Sequence, residues 1–205
     1  GAARWLSFAV PSAKALRAIR KFAGDGGLVE LGAHNGYWAA RLHSMGVKVL
    51  ALDIEPPEHA HGVVYGTAAS LRSAKQHTLL VCMPSPGEPG LADDALDAFA
   101  GDRLVYVGEW STGMTATQTF HQRLLREFKL ERQMVLPCWA LMRVEVFFFC
   151  RREEPISPQA AAESSPLSCD VCGRRSSGTV LGLVRSACAA SHASQPLTLG
   201  TELRS

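Results

Sequence analysis

A chain of 205 residues with 47% hydrophobic and 20% charged residues has enough apolar material for one globular domain and an appendage. A net charge of +2 gives no general indication of a nucleic-acid partner. No apolar run approaches the roughly 18 residues of a membrane span, and the opening Gly-Ala-Ala-Arg-Trp-Leu-Ser-Phe-Ala-Val is too short in its apolar part for a secretory signal.

The chain opens without Met, which is expected of a fragment or processed product. Six cysteines lack a regular framework, and Cys82, Cys138 and Cys150 lie in or beside apolar runs. That usage fits a reducing compartment, cytoplasm or nucleus. Pro11 and Ser12 start a helix whose apolar face is Leu16, Ile19, Phe22 and Ala23 and whose end is the glycine stretch 24–27. Lys14, Arg17, Arg20 and Lys21 read as its solvated face. Trp5 and Phe8 ahead of it read as core cover or as a lid.

The informative stretch runs from Leu28 to Asp53. Leu28, Val29 and Leu31 form a buried parallel strand. It breaks at Gly32-Ala33-His34-Asn35-Gly36 into a helix marked by Trp38, Leu42 and Met45, and a second strand, residues 47–52, ends on Asp53. Glycines allow close backbone approach to a ligand, the helix start offers unpaired N–H groups, and a carboxylate some 20 residues on can accept from ribose hydroxyls. Gly32 to Asp53 is a gap of 21. A dinucleotide G-x-G-x-x-G fingerprint would need glycines where His34 and Tyr37 stand.

The stretch resembles motif I of the class I S-adenosylmethionine-dependent methyltransferases, an acid followed by G-x-G-x-G: Glu30, Gly32 and Gly36 match and His34 replaces the middle glycine. The resemblance implies that Glu30 lies near the aminoacyl end of the cofactor and Asp53 at its ribose. The cofactor-binding set would be Glu30, Gly32, Ala33, His34, Gly36, Asp53, Met83 and Pro84.

Strands are expected at 62–66, 78–83, 104–109, 134–136 and 144–150, and helices at 68–74, 91–99 and 120–128, the last capped by Thr115 or Thr117. Strands joined by so short a link as the last two are most easily antiparallel, because a parallel crossover needs about a dozen residues or more. The expected fold is therefore α/β, a three-layer sandwich around a mostly parallel seven-stranded sheet with its last strand antiparallel, as in the class I methyltransferases. The domain is placed at 1–152. Residues 153–205, rich in Ser, Ala, Pro and Gly, read as a disordered tail with one apolar patch at 180–184.

After the fourth strand, amino-methylating members of that family carry Asn or Asp, two prolines and an aromatic; here the chain reads Met83-Pro84-Ser85-Pro86. Glu109, at the end of the fifth strand, is the candidate base or substrate clamp, with a capping or solvated glutamate as the alternative. His59, His61 and His121 read as surface or loop residues. No metal is expected; Cys169, Cys172, Cys188 and His192 form the alternative, a C-x2-C-x15-C-x3-H spacing compatible with tetrahedral zinc. The overall reading is an S-adenosylmethionine-dependent methyltransferase of unassigned acceptor. Its rivals are a catalytically silent methyltransferase-like scaffold and an NAD-binding oxidoreductase.

Overall fold

The most apolar runs of the chain sit in the middle of one sheet. The computed structural model describes residues 9–87, 90–137 and 142–166. Strands β1 (Leu28–Leu31), β2 (Val49–Asp53), β3 (Val63–Tyr65), β4 (Thr78–Cys82) and β5 (Arg103–Gly108) pair in parallel. Strands β6 (Phe128–Val135) and β7 (Glu145–Arg151) complete the sheet, β7 running antiparallel to both its neighbours. The order is β3-β2-β1-β4-β5-β7-β6. Every residue of β1 is buried, as a parallel strand covered on both faces must be.

Helices α1 (Ala13–Ala23), α2 (Tyr37–His43), α3 (Leu91–Ala98) and α4 (Gln118–Glu127) make the outer layers. Ser12 caps α1, its side chain accepting from the Ala15 N–H at 3.1 Å. Leu16 and Ile19 of α1 and Trp38 and Leu42 of α2 share one core with Leu28, Leu80, Val105 and Phe148 from one face of the sheet. On β5 and β7 the alternate residues, Tyr106 and Phe147, belong to the other face and stack on each other, and Tyr106 meets Phe120 and His121 of α4. The three-layer arrangement and the antiparallel β7 are those expected.

Three local expectations change. The sixth strand is eight residues long, not three, and follows α4 directly, so that Phe128 is strand rather than helix. β6 is an edge strand with solvated Lys129, Glu131 and Arg132, and such a strand shows no apolar run. The segment after Thr67 is a 3₁₀ helix (Ala68–Ser73) closed by a capping box between Thr67 and Ser70. Past Arg152 the chain forms a further helix, α5 (Pro158–Glu163), capped by Ser157, burying Ala161 and packing on α4. The boundary after Arg152 thus falls inside a unit that extends to Pro166; a helix this small needs one alanine face rather than aromatics to dock.

Trp5, Phe8, the apolar patch at 180–184 and the alternative zinc set Cys169, Cys172, Cys188 and His192 lie outside the described residues. Among the described residues, no helix is long and apolar enough to cross a membrane.

Candidate functional site

The bend after β1 is built on backbone pairing with β2. The N–H groups of Gly32 and Ala33 both donate to the Leu52 carbonyl, at 2.9 and 3.0 Å. Gly36 opens α2 with φ +74°, and a Cβ there would lie 2.6 Å from the His61 carbonyl oxygen, so only glycine lets residues 61–63 close over the bend. His34 occupies the left-handed region too, with φ 48°. A non-glycine residue held there costs about 1–2 kcal/mol. Its side chain is exposed.

Asp53 points back at this bend. Its Oδ2 accepts the His34 N–H at 2.7 Å and its Oδ1 the Glu55 N–H at 2.9 Å. Each carboxylate oxygen keeps acceptor capacity beyond these bonds. The next residue, Ile54, is 66% exposed and puts an apolar surface beside the carboxylate. Ile54 was missed from sequence; the signal was a large apolar residue directly after the acid in a loop.

Glu30 lies beneath the bend, 2% exposed. The Ala39 N–H, in the first turn of α2, donates to its carboxyl, yet burial prevails and, with the Asp53 charge, pushes the pKa up to about 8. Its Oε2 is buried without a hydrogen-bond partner. A buried acceptor without a partner is costly, and a ligand ammonium group would satisfy it.

Strain gathers at the same sheet edge. Among the described residues the non-glycine positions of positive φ are His34, Met83, Ser111 and Ala116. They lie in loops that follow β1, β4 and β5, all at the carboxyl edge. Met83 donates its N–H to Val107 and Pro84 accepts from the Ala116 N–H, at 2.8 and 2.9 Å, so the loops after β4 and β5 are tied together. Strained backbone of this kind collects at functional sites, and the carboxyl edge is where open α/β sheets bind ligands.

No protein-family profile matches this chain, and no curated protein matches it. Solved structures resemble it in fold. Streptococcus pneumoniae Sp1610, a candidate tRNA (m1A22) methyltransferase, aligns with TM-score 0.55 and 13% identity over 93% of this chain and 91% of its own. A protein of the NADB-Rossmann superfamily from Streptococcus agalactiae aligns with TM-score 0.50 and 13% identity, over 75% of this chain and 74% of its own. Together with the strand order and the reversed β7, these decide the architecture.

The chain has the class I methyltransferase fold.

In the methyltransferase fold the other candidate, Glu109, follows β5. It is neither solvated nor a helix cap: it is 5% exposed and its Oε1 accepts the Arg143 N–H at 3.0 Å. It braces the link into β7. Its backbone joins a buried polar network, the Glu109 N–H donating to Thr115 Oγ1 at 2.8 Å, with Tyr106 Oη 2.6 Å from the same oxygen. Thr117, not Thr115, caps α4.

His121 overturns its surface reading. It is 2% exposed, with Nε2 3.2 Å from Tyr106 Oη and its ring against Trp110. Burial lowers its pKa to about 4, so the imidazole is neutral at physiological pH. The helical pattern of α4 already placed His121 next to Phe120 on the apolar side, and that was the signal available. His59 and His61 are exposed.

Proposed function

We propose that the chain binds S-adenosylmethionine at the bend between β1 and α2 and acts as a methyltransferase. The observation that carries this reading is Asp53 Oδ2 on the His34 N–H, which puts a carboxylate with spare acceptor capacity against a bend that admits close approach. Asp53 would take the ribose hydroxyls, Ile54 would cover the base, and Glu30 would receive the ammonium group through its unpartnered Oε2. Met83 and Pro84, held by the β5 loop, would form the wall toward the acceptor. Bound there, the cofactor supplies an electrophilic methyl group on its sulfonium.

The protein's own contribution is alignment and exclusion of water, which is the larger part of such a displacement. The Met83-Pro84-Ser85-Pro86 turn offers no amide or carboxylate, and Glu109 is engaged by a backbone N–H. Glu109 is also buried, 5% exposed, so we assign it to positioning the link into β7, and an acceptor whose lone pair is already free suits this edge best.

That same engagement of Glu109 favours a second reading, a silent methyltransferase-like scaffold. Titration calorimetry of the full chain with S-adenosylmethionine, S-adenosylhomocysteine and NAD separates the readings. Binding of either of the first two without NAD supports the proposal. NAD binding alone supports an oxidoreductase, and silence across the set supports the scaffold.

A further inference from the structure

A hollow of about 640 Å³ opens at the amino edge of the sheet, opposite the bend. Arg17, Arg20 and Lys21 of α1 line it, joined by Lys48 from the turn before β2, and Asp25 is its one acidic side chain. Gly27 lets the turn hug that strand: with φ +75°, a Cβ there would lie 2.7 Å from the Lys48 carbonyl oxygen. The four cations are exposed, and none forms an ion pair with a described residue.

Lys21 also lines a second hollow, of about 360 Å³, with Arg103, Arg132 and the lone acid Glu131. Glu131 is already paired with Lys129 at 3.1 Å. Arg103 and Arg132 sit over the rings of Phe22 and Phe148, at 5.6 and 6.0 Å from the centroids, which holds both guanidinium groups in place. A third hollow shares Asp25 and Arg103 but adds Asp102 against Lys75, so its charges balance. The positive path therefore crosses α1 at Lys21.

Like charges gathered in excess of counter-charges repel one another, and a polyanion relieves that repulsion while releasing its own counterions. Two positive hollows joined across one lysine suit an extended ligand better than a single phosphate. A bilayer finds no apolar anchor here, since none of the large exposed apolar side chains lines either hollow. We propose that this amino edge is a second binding site, one that takes the sugar-phosphate backbone of a nucleic-acid strand. The site is independent of the cofactor reading. A chain-wide charge of +2 conceals it because the compensating acids lie elsewhere.

The test is fluorescence anisotropy of a labelled oligouridylate with the full chain, across a salt series. Wild type should bind at low salt, with log affinity falling linearly against log salt by about 0.7 per phosphate contacted. Arg20→Gln with Lys48→Gln should reduce that slope by about 1.4 and weaken binding about tenfold or more, with the melting curve unchanged. Photocrosslinking of the wild type provides a second readout that needs no variant: adducts should map to α1 and residues 46–49. No binding, a slope the substitutions leave unaltered, crosslinks confined to the carboxyl-edge loops, or binding to phosphatidylserine vesicles in place of the oligonucleotide would each overturn the proposal.

Discussion

The His34 N–H donates to Asp53 Oδ2 across 2.7 Å, so the bend after β1 and the end of β2 behave as one piece. His34, the non-glycine residue of positive φ in the bend, is tied there by the same carboxylate proposed to meet the ribose.

Asp53→Ala removes the acceptor of both the His34 and Glu55 N–H groups. Affinity for S-adenosylmethionine should fall by about 1–3 kcal/mol, roughly 5- to 150-fold, in titration calorimetry. Asp53→Asn keeps one acceptor oxygen and should lose less. An alanine variant that binds as tightly as wild type would take Asp53 out of the site.

Gly36→Ala forces a Cβ toward the His61 carbonyl at positive φ. It should destabilise the protein by about 1–3 kcal/mol in urea denaturation. His34→Gly relaxes the backbone but adds freedom to the unfolded chain, so the two effects, each about 1 kcal/mol, should nearly cancel. A large loss in His34→Gly would mean that the imidazole itself holds the bend.

Glu30 makes stability depend on pH with an unusual sign. Its pKa rises from 4.5 to about 8 on folding, so between those values the folded state holds a proton that the unfolded state has lost. The contribution is complete below 4.5 and is lost as pH climbs toward 8, at about 1.4 kcal/mol per unit. Glu30→Gln should abolish that decline in denaturation curves taken across the range. Binding of an ammonium-bearing ligand should release a proton near pH 7 in the wild type and none in the variant. A wild-type curve already flat to pH 8 would show Glu30 to be hydrated.

His121 works in the opposite direction. Its pKa falls from 6.5 to about 4 on folding, so the unfolded state takes up the proton first and stability is lost as pH drops through that window. Over their shared range the slopes of Glu30 and His121 oppose each other, and the wild type should be nearly flat between pH 4.5 and 6.5. His121→Phe should uncover a continuous decline from 4.5 to 8. An unchanged plateau in that variant would mean that His121 is solvated.

Much of the architecture was legible in the residue order. The apolar runs at Leu28, Thr78 and Leu104 announce parallel strands buried on both faces, the run at Val49 a strand with Leu50 exposed, and the glycines at 32 and 36 mark a bend that few other residues permit. The 21-residue gap to Asp53 was readable because a βαβ unit has a nearly fixed length. Periodicity of this kind reports which face of an element is buried, and it depends on near neighbours alone.

Tertiary structure decided what each polar group does. Glu109 looked available until the Arg143 N–H, 34 residues away, was brought to its carboxylate. His121 looked like a surface residue until Tyr106 and Trp110 enclosed it. β6 hid its length because an edge strand keeps its charges in water. Lys48 joined the α1 cations only when the sheet set its turn beside theirs. In each case a carboxylate, imidazole or ammonium takes its role from partners far along the chain, and local spacing contains no record of them.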